Sequence, residues 1–462
     1  MNRPISNLDR FNATNNLIAL CLSSFVITVG FGVIMPFLPL YASEILSEFS
    51  FIGITLGIAL QIGILTSAFM FMRFLLAPSY GDLSDSSGRK PIILVGMAVY
   101  AFLIFGYGLA FDFLSLLILR TLQGMASAAV WPVGEALIVD TSTKKTTGRN
   151  LGYYIMSMQA GMASGPFLGF IFYAGLNDIL GFSSILSYRL TFIGQGIMGI
   201  LATIIVALLV KDPTQINQNT PLMNEFKQAI HLMAFKTVES PKYLVKIFTT
   251  NSDYRNLSLY TIYIVAVING FGAAMIFPII TLFLNDFYFL DPEVIALVIG
   301  VVGLLAISGN PLGGFLSDKV SKKQVTWITG LMRGIFYLIL GIQMGLVGVI
   351  FIFAVQRFLW GIFQPSFRSL QNSLIPEEVR GKEFGFVQSL FNLGSILGPI
   401  IGGILYDSFF NVKFKLGGVI YIGVGVAFAL SGILSMMGSL LLFLFIKSSF
   451  FQDNSNNTTD IS

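Results

Sequence analysis

Gly81-Asp82-Leu83-Ser84-Asp85-Ser86-Ser87-Gly88-Arg89-Lys90 returns as Gly314-Phe315-Leu316-Ser317-Asp318-Lys319-Val320-Ser321-Lys322-Lys323, 233 residues later in a chain of 462. A second pattern repeats at the same offset. Gly152, Gly161, Gly165-Pro166 and Gly169 are matched by Gly385, Gly394, Gly398-Pro399 and Gly402. Two unrelated patterns with one offset mark a duplicated chain. Long apolar runs separate the repeated elements, and a duplicated set of membrane helices is the build of a secondary transporter.

Hydrophobic residues make up 55% of the chain and charged residues 11%, against about 25% charged in an ordinary soluble domain. Many apolar runs exceed the roughly 18 residues that mark a membrane-crossing helix. The fold class expected is an all-α membrane protein, with twelve transmembrane helices in two pseudo-symmetric six-helix bundles. The spans are expected at 16–41, 52–79, 91–111, 113–140, 150–174, 189–210, 257–284, 293–313, 325–345, 347–373, 384–407 and 418–446. The expected parts are a first bundle at 1–210, a polar connection at 211–256, a second bundle at 257–446 and a disordered tail at 447–462. Leu222, Phe226, Ile230 and Met233 recur at helical spacing in the connection, which suits either an amphipathic surface helix or a solvated linker. The apolar run after the polar start is too long for a cleaved signal peptide and reads as a retained anchor.

Basic residues set the orientation. Arg189, Lys413 and Lys415 fall on one side, and Arg73, Arg120, Arg333, Arg357 and Arg368 lie within spans. The remaining 19 of the 27 Lys and Arg fall on the other side. That side is read as cytoplasmic, with both termini and both copies of the opening motif on it, in a cell (plasma or inner) membrane. The net charge of +4 includes no basic stretch suited to nucleic acid, and a lone cysteine, Cys21, supports neither a disulfide framework nor a Cys-rich metal site. No cofactor or metal is expected. The segment 81–90 is no phosphate loop either: six residues separate its glycines and Pro91 follows Lys90.

Residues 81–90 resemble the loop signature G-x-L-x-D-x-x-G-R-K of the major facilitator superfamily, and the similarity extends over both halves. The resemblance implies a conformational latch of Gly81, Asp85, Gly88, Arg89 and Asp140, with Gly314 and Asp318 as the second copy. In it Arg89 pairs with Asp140, and Asp85 faces the start of the eleventh span. Ser86 stands where the family usually has Arg, which removes one cation from the network, and Ser321 stands where it has Gly, which makes the second copy the less faithful one. Charges that merely set topology are the plainer reading. Arg120-Thr121-Leu122-Gln123-Gly124 resembles the family's R-x-x-Q-G signature, with an echo in Arg357, Trp360 and Gly361. The resemblance places Arg120 and Gln123 near a central cavity, in proton coupling or substrate binding, with Arg357 as a counterpart. An arginine tying helices together is the alternative, and Arg73, Arg333 and Arg368 are read as structural or snorkelling.

The pattern Gly161, Gly165, Pro166, Gly169 resembles an antiporter signature completed in the second half by Gly394, Gly398, Pro399 and Gly402; Phe170 replaces its last glycine in the first half. It implies export by antiport, resembling the twelve-helix drug/proton branch. Close helix packing explains the same residues. Helix 1 lacks the buried acid such antiporters often carry. Among 23 acidic residues only Glu135 reads as well inside a span, which makes it the candidate proton carrier, or else a side chain reaching water. Gln61, Tyr154, Gln159, Asn269, Gln364, Gln388 and Asn392 are candidate cavity-lining groups, because polar side chains inside spans seek partners or water. Five embedded arginines against one glutamate favour a neutral or anionic, amphipathic cargo over a cation.

The expected function is therefore a monomeric transporter of a small organic molecule by alternating access, with protons and the lipid bilayer as further partners. Proton-coupled efflux is the first reading and uptake by symport or facilitated diffusion the second. A membrane-embedded enzyme lacks a catalytic cluster, since the single histidine, His231, lies in the connection. A channel or non-transporting receptor on the same scaffold is a further alternative.

Overall fold

Polar backbone inside a bilayer must bond to itself, so an apolar duplicated chain can only be helical or a closed barrel. The computed structural model is helical, and it describes residues 7–51, 54–143, 146–210, 222–249, 256–376, 379–416 and 418–446. Thirteen α-helices are present among the described residues. They are α1 (Asn7–Ile45), α2 (Ile58–Ser87), α3 (Arg89–Leu109), α4 (Phe113–Asp140), α5 (Thr147–Ala174), α6 (Ser184–Leu209), α7 (Leu222–Thr249), α8 (Leu257–Tyr288), α9 (Pro292–Lys319), α10 (Lys322–Leu340), α11 (Leu346–Leu374), α12 (Arg380–Phe409) and α13 (Gly425–Phe445). The expected disorder of 447–462 lies outside the described residues, as do residues 211–221 and 250–255 of the connection.

Among the described residues, eleven helices are long and apolar enough to cross a membrane. The helix in the place of the ninth expected span, α10, is not among them. It has only 19 residues and includes Lys322, Lys323, Gln324 and Arg333. Its polar side chains Thr326, Thr329 and Arg333 are buried, and it packs against α11 and α13. Its polarity therefore points into the protein. Two antiparallel hairpins went unforeseen: β1 (Phe49–Phe51) with β2 (Ile54–Leu56), and β3 (Lys413–Leu416) with β4 (Val419–Ile422). The second is pinned to the α10–α11 connection by Gln343 N–H to the Ile420 carbonyl at 2.8 Å and Ile422 N–H to the Gly341 carbonyl at 2.9 Å.

The chain divides into two compact units, one of Met1–Thr250 with Thr281–Gly300 and one of Asn251–Ile280 with Val301–Ser462. Within each, the repeated glycines perform the same packing. Gly161 and Gly165 of α5 lie against the carbonyls of Phe25 and Val29 on α1, and Gly394 and Gly398 of α12 lie against those of Val267 and Phe271 on α8. A Cβ at Gly165 would sit 2.5 Å from the Val29 oxygen. Gly124 against Phe69, and Gly361 against Ala306, repeat the arrangement for α2–α4 and α9–α11. Small residues here let helix backbones touch, the main source of helix association where lipid removes the hydrophobic drive.

In the first unit α7 packs on α2 and α3. Ala229 and Met233 are buried, and Ile230 and Phe235 are exposed. Of the stripe read from sequence, Met233 thus turns inward and Ile230 outward, while the side chains of Leu222 and Phe226 lie outside the described residues. The Lys236 ammonium reaches Asp82 at 3.1 Å, and the Tyr80 hydroxyl meets that of Thr237 at 2.9 Å. At the start of α4, Asp112 and Ser115 form a capping box. Ser115 holds the Asp112 carboxyl below the usual carboxylate range through its side chain and its amide.

Two stability outcomes follow from this packing. Gly165→Ala should lower stability by about 1–3 kcal/mol through overpacking. Gly81→Ala, whose new methyl meets nothing within 4 Å, should be neutral or stabilising by up to about 1 kcal/mol; equilibrium unfolding in detergent measures both. Asp112→Ala should cost about 1 kcal/mol near neutral pH. Because the folded carboxyl titrates below its unfolded value of about 3.9, that contribution is complete above the unfolded value and fades as pH falls through the folded one. Asp112→Asn, which caps without titrating, should show no such fade.

Candidate functional site

Most of the segment 81–90 is helix. The α2 helix runs through Ser87, Gly88 makes the turn at φ 94°, and α3 starts at Arg89. Positive φ is the requirement that glycine meets at Gly88. The turn points Arg89 between two acids. Its Nη1 lies 2.5 Å from Asp85 Oδ1 and donates to Ser84 Oγ at 2.7 Å, and its Nε donates to Asp140 Oδ2 at 2.8 Å. One guanidinium thus serves two carboxylates, a geometry suited to its planar set of donors. The Lys90 ammonium donates to the Ala207 carbonyl at 2.8 Å, a cation placed at the C-terminal end of α6. The second copy differs. Asp318 is exposed and in no ion pair among the described residues, Gly314 has open space around it, and the Lys319 ammonium stands over the Phe315 ring at 4.4 Å.

Deeper in the first unit, α4 aligns Arg120 and Gln123 at one helical turn. Arg120 is buried and donates from Nη1 to Gln123 Oε1 at 3.0 Å, and the Tyr107 hydroxyl donates to the same oxygen at 2.6 Å. Its guanidinium lies over Phe69 and Tyr107, at 5.6 and 5.8 Å from the ring centres. Arg73 of α2 stands 4.5 Å over Trp131, which is edge-on to Phe31. Glu135, one turn beyond Trp131, is exposed and acts electrostatically on both Arg73 and Tyr154. Tyr154 is buried with its hydroxyl against Gly134. Two groups therefore lie on α4, Arg120 with Gln123 in one and Glu135 with Arg73 and with Tyr154 of α5 in the other, a few helical turns apart.

The second unit has its own buried cation. Arg333 of α10 donates from Nη2 to Asn269 Oδ1 and to Ser435 Oγ at 3.0 Å. It lies over Trp360 and Phe363, 4.6 Å from each ring. Arg357 of α11 is half-buried and interacts electrostatically with Arg333 and Tyr337. A buried carboxyl, Glu383, accepts a short hydrogen bond from the Tyr263 hydroxyl.

The remaining candidates scatter. Gln61 donates to the carbonyls of Ser47 and Leu56 at 2.9 and 3.0 Å and ties down the α1–α2 connection. Gln388 and Asn392 bond to each other along α12 at 3.3 Å. Gln159 and Gln364 are half-buried. Glu383 falls just outside the span expected at 384–407, whereas α12 starts at Arg380; Arg333, read from sequence as structural or snorkelling, ties α10 to α8 and α13.

A family model described as Major Facilitator Superfamily matches residues 20–255 and 262–459. The chain is 25% identical over 423 residues to Quinolone resistance protein NorA of Staphylococcus aureus strain Mu50 / ATCC 700699, covering 89% of this chain and 94% of that protein. It is 27% identical over 425 residues to Multidrug resistance protein MdtG of Proteus mirabilis strain HI4320, covering 89% and 93%. A solved structure of a bacterial homolog of the human lysosomal transporter Spinster, inward-facing and occupied, matches with a TM-score of 0.72 at 16% identity, over 93% of this chain and 95% of that one.

A double-mutant cycle of Arg89→Ala and Asp140→Ala, read by equilibrium unfolding, should give a coupling of about 0.5–1 kcal/mol for this partly exposed pair. A coupling of zero would remove the pair from any latch.

Proposed function

The chain belongs to the Major Facilitator Superfamily, and from that membership we propose a proton-coupled exporter of small amphipathic molecules that works by alternating access. The family makes it a multi-pass membrane transporter and not an enzyme. The observation that carries the reading is Glu135, a carboxyl in a membrane helix set against Arg73 and Tyr154 and a few turns from the Arg120–Gln123 pair.

A nearby cation favours the charged form of a carboxyl, so a change in the position of Arg73 changes how readily Glu135 takes up a proton. Protonation of Glu135 removes the charge that Arg73 answers, so Arg73 and the rings around it, Trp131 and Phe31, must find a new balance. Cargo that competes for the same helix couples to that event. Because coupling is reciprocal, a proton and a cargo molecule that disfavour each other at α4 move in opposite directions. Efflux is supported by the names of two relatives, a quinolone resistance and a multidrug resistance protein, and by the packing glycines of α5 and α12.

The Asp85–Arg89–Asp140 group serves as the latch on the side read as cytoplasmic. It holds the ends of α2, α3 and α4 together in one conformation and lets them part in the other. The charge bias places both termini on that side, in the cell membrane, and the protein acts as a monomer. Uptake by symport is the second reading, favoured by the absence of an acid in the middle of α1.

Purified protein in liposomes with an imposed pH gradient tests this with a panel of fluorescent amphiphiles. Export against the proton gradient is expected. Glu135→Gln should lower gradient-driven flux at least about tenfold while leaving downhill exchange measurable. Gradient-driven flux that survives Glu135→Gln overturns the assignment of the proton carrier, and cargo moving with protons establishes symport instead.

A further inference from the structure

We propose that Arg333, Arg357 and Gln356 of the second unit form a recognition site for the anionic group of an aromatic cargo; this rests on the reading of the chain as a small-molecule transporter. The starting point is charge. An arginine in the middle of a membrane helix is costly and is normally answered by an acid, a carbonyl or water. In the first unit Arg73 has Glu135 within electrostatic range. In the second unit, among the described residues, neither Arg333 nor Arg357 makes an ion pair, and the two cations interact with each other. The buried carboxyl of this unit, Glu383, is engaged by Tyr263.

Hydrogen bonding sharpens the point. Arg333 is 3% exposed, and its Nε and Nη1 have no hydrogen-bond partner. Gln356, 1% exposed, has no close hydrogen bond to either amide atom among the described residues, and its neighbour is the Tyr337 hydroxyl of α10. The large majority of buried side-chain polar atoms in native proteins are satisfied, and among the described residues the open ones of the second unit all lie on two adjacent helices, α10 and α11. Arginine can only donate, and a glutamine can donate from its nitrogen. Three of the four open atoms are donors and ask for an acceptor, while Gln356 Oε1 asks for a donor, and the excess positive charge asks for a negative group. An oxyanion satisfies the donors and the charge, whereas a cation or an apolar group satisfies neither.

The surroundings supply the rest of the chemistry. Trp360 and Phe363 are stacked, 6.0 Å apart and 17° from parallel, beneath the Arg333 guanidinium. Asn269 and Ser435 hold Nη2 from α8 and α13, so the guanidinium is fixed before any ligand arrives. A preset cation above a flat aromatic wall suits an amphiphile with a ring and a carboxylate.

The test uses the full chain in phosphatidylcholine nanodiscs, with equilibrium binding of 1-naphthoate and of the isosteric neutral 1-naphthamide. Naphthoate should bind at least about tenfold more tightly, the range of a hydrogen bond to a charged group. Arg333→Gln and Arg357→Gln should each remove that preference, and Gln356→Leu should weaken it. If Arg333→Gln does not fold, Arg357→Gln and Gln356→Leu still decide the matter. Equal binding of the two probes, or a preference that survives Arg357→Gln and Gln356→Leu, overturns the site. So does a result in which phosphatidylglycerol, but not naphthoate, stabilises the wild type in an arginine-dependent way, because the anion is then a lipid headgroup. The assay needs neither flux nor a pH gradient. Failure of proton-driven export would leave it standing, and loss of the carboxylate preference would leave export of neutral cargo standing.

Discussion

A charge inside a bilayer has to be answered from within the protein, and this constraint shapes the chain more than any other. The buried guanidiniums on α4 and α10 recruit aromatic faces, amide oxygens and hydroxyls. Arg120 rests between Phe69 and Tyr107 with Gln123 as acceptor. Arg333 rests on Trp360 and Phe363 with Asn269 and Ser435 as acceptors. The two solutions use the same chemistry on different helices, which shows the constraint at work and not merely inheritance from a duplication. The units differ in one respect that matters for transport: the first sets an acid against its cations and the second does not.

Helix contact is the second constraint. Lipid chains are as apolar as leucine, so helices gain little from burying apolar faces against each other, and they associate by close approach. The glycines of α5 and α12 meet carbonyls of α1 and α8 with the same four-residue step in both units. At the Gly88 turn the requirement is different, a backbone conformation that side chains resist. That turn delivers Arg89 to Asp85 and Asp140, so a conformational demand at one residue becomes an electrostatic junction of three helix ends.

What could be read beforehand follows from the range of the signals. Spans, the duplication and the Arg89–Asp140 pairing rest on runs, repeats and a dense motif, and these survive without tertiary knowledge. The hairpins at β1–β2 and β3–β4 are three or four residues per strand, held by contacts such as Gln343 to Ile420 that no local pattern encodes. Glu383 was invisible because a helix boundary misplaced by a few residues moved it from interior to loop. Arg333 reads from sequence as structural or snorkelling. Its burial depends on Asn269 and Ser435, 64 and 102 residues away in the chain. The polarity of α10 likewise makes sense only once α11 and α13 surround it.

The account turns on proton binding driving a two-state change of access, and pulsed electron paramagnetic resonance distances read this most directly. In a Cys21→Ser background, one label pair at Ser86 and Lys319 follows the two copies of the repeated motif, and a second at Phe111 and Val347 follows the opposite helix ends. Acidification should shift the two distance distributions in opposite senses, and Glu135→Gln should hold the acid distribution at neutral pH. Distributions that ignore pH, or that widen together at both ends, would contradict it.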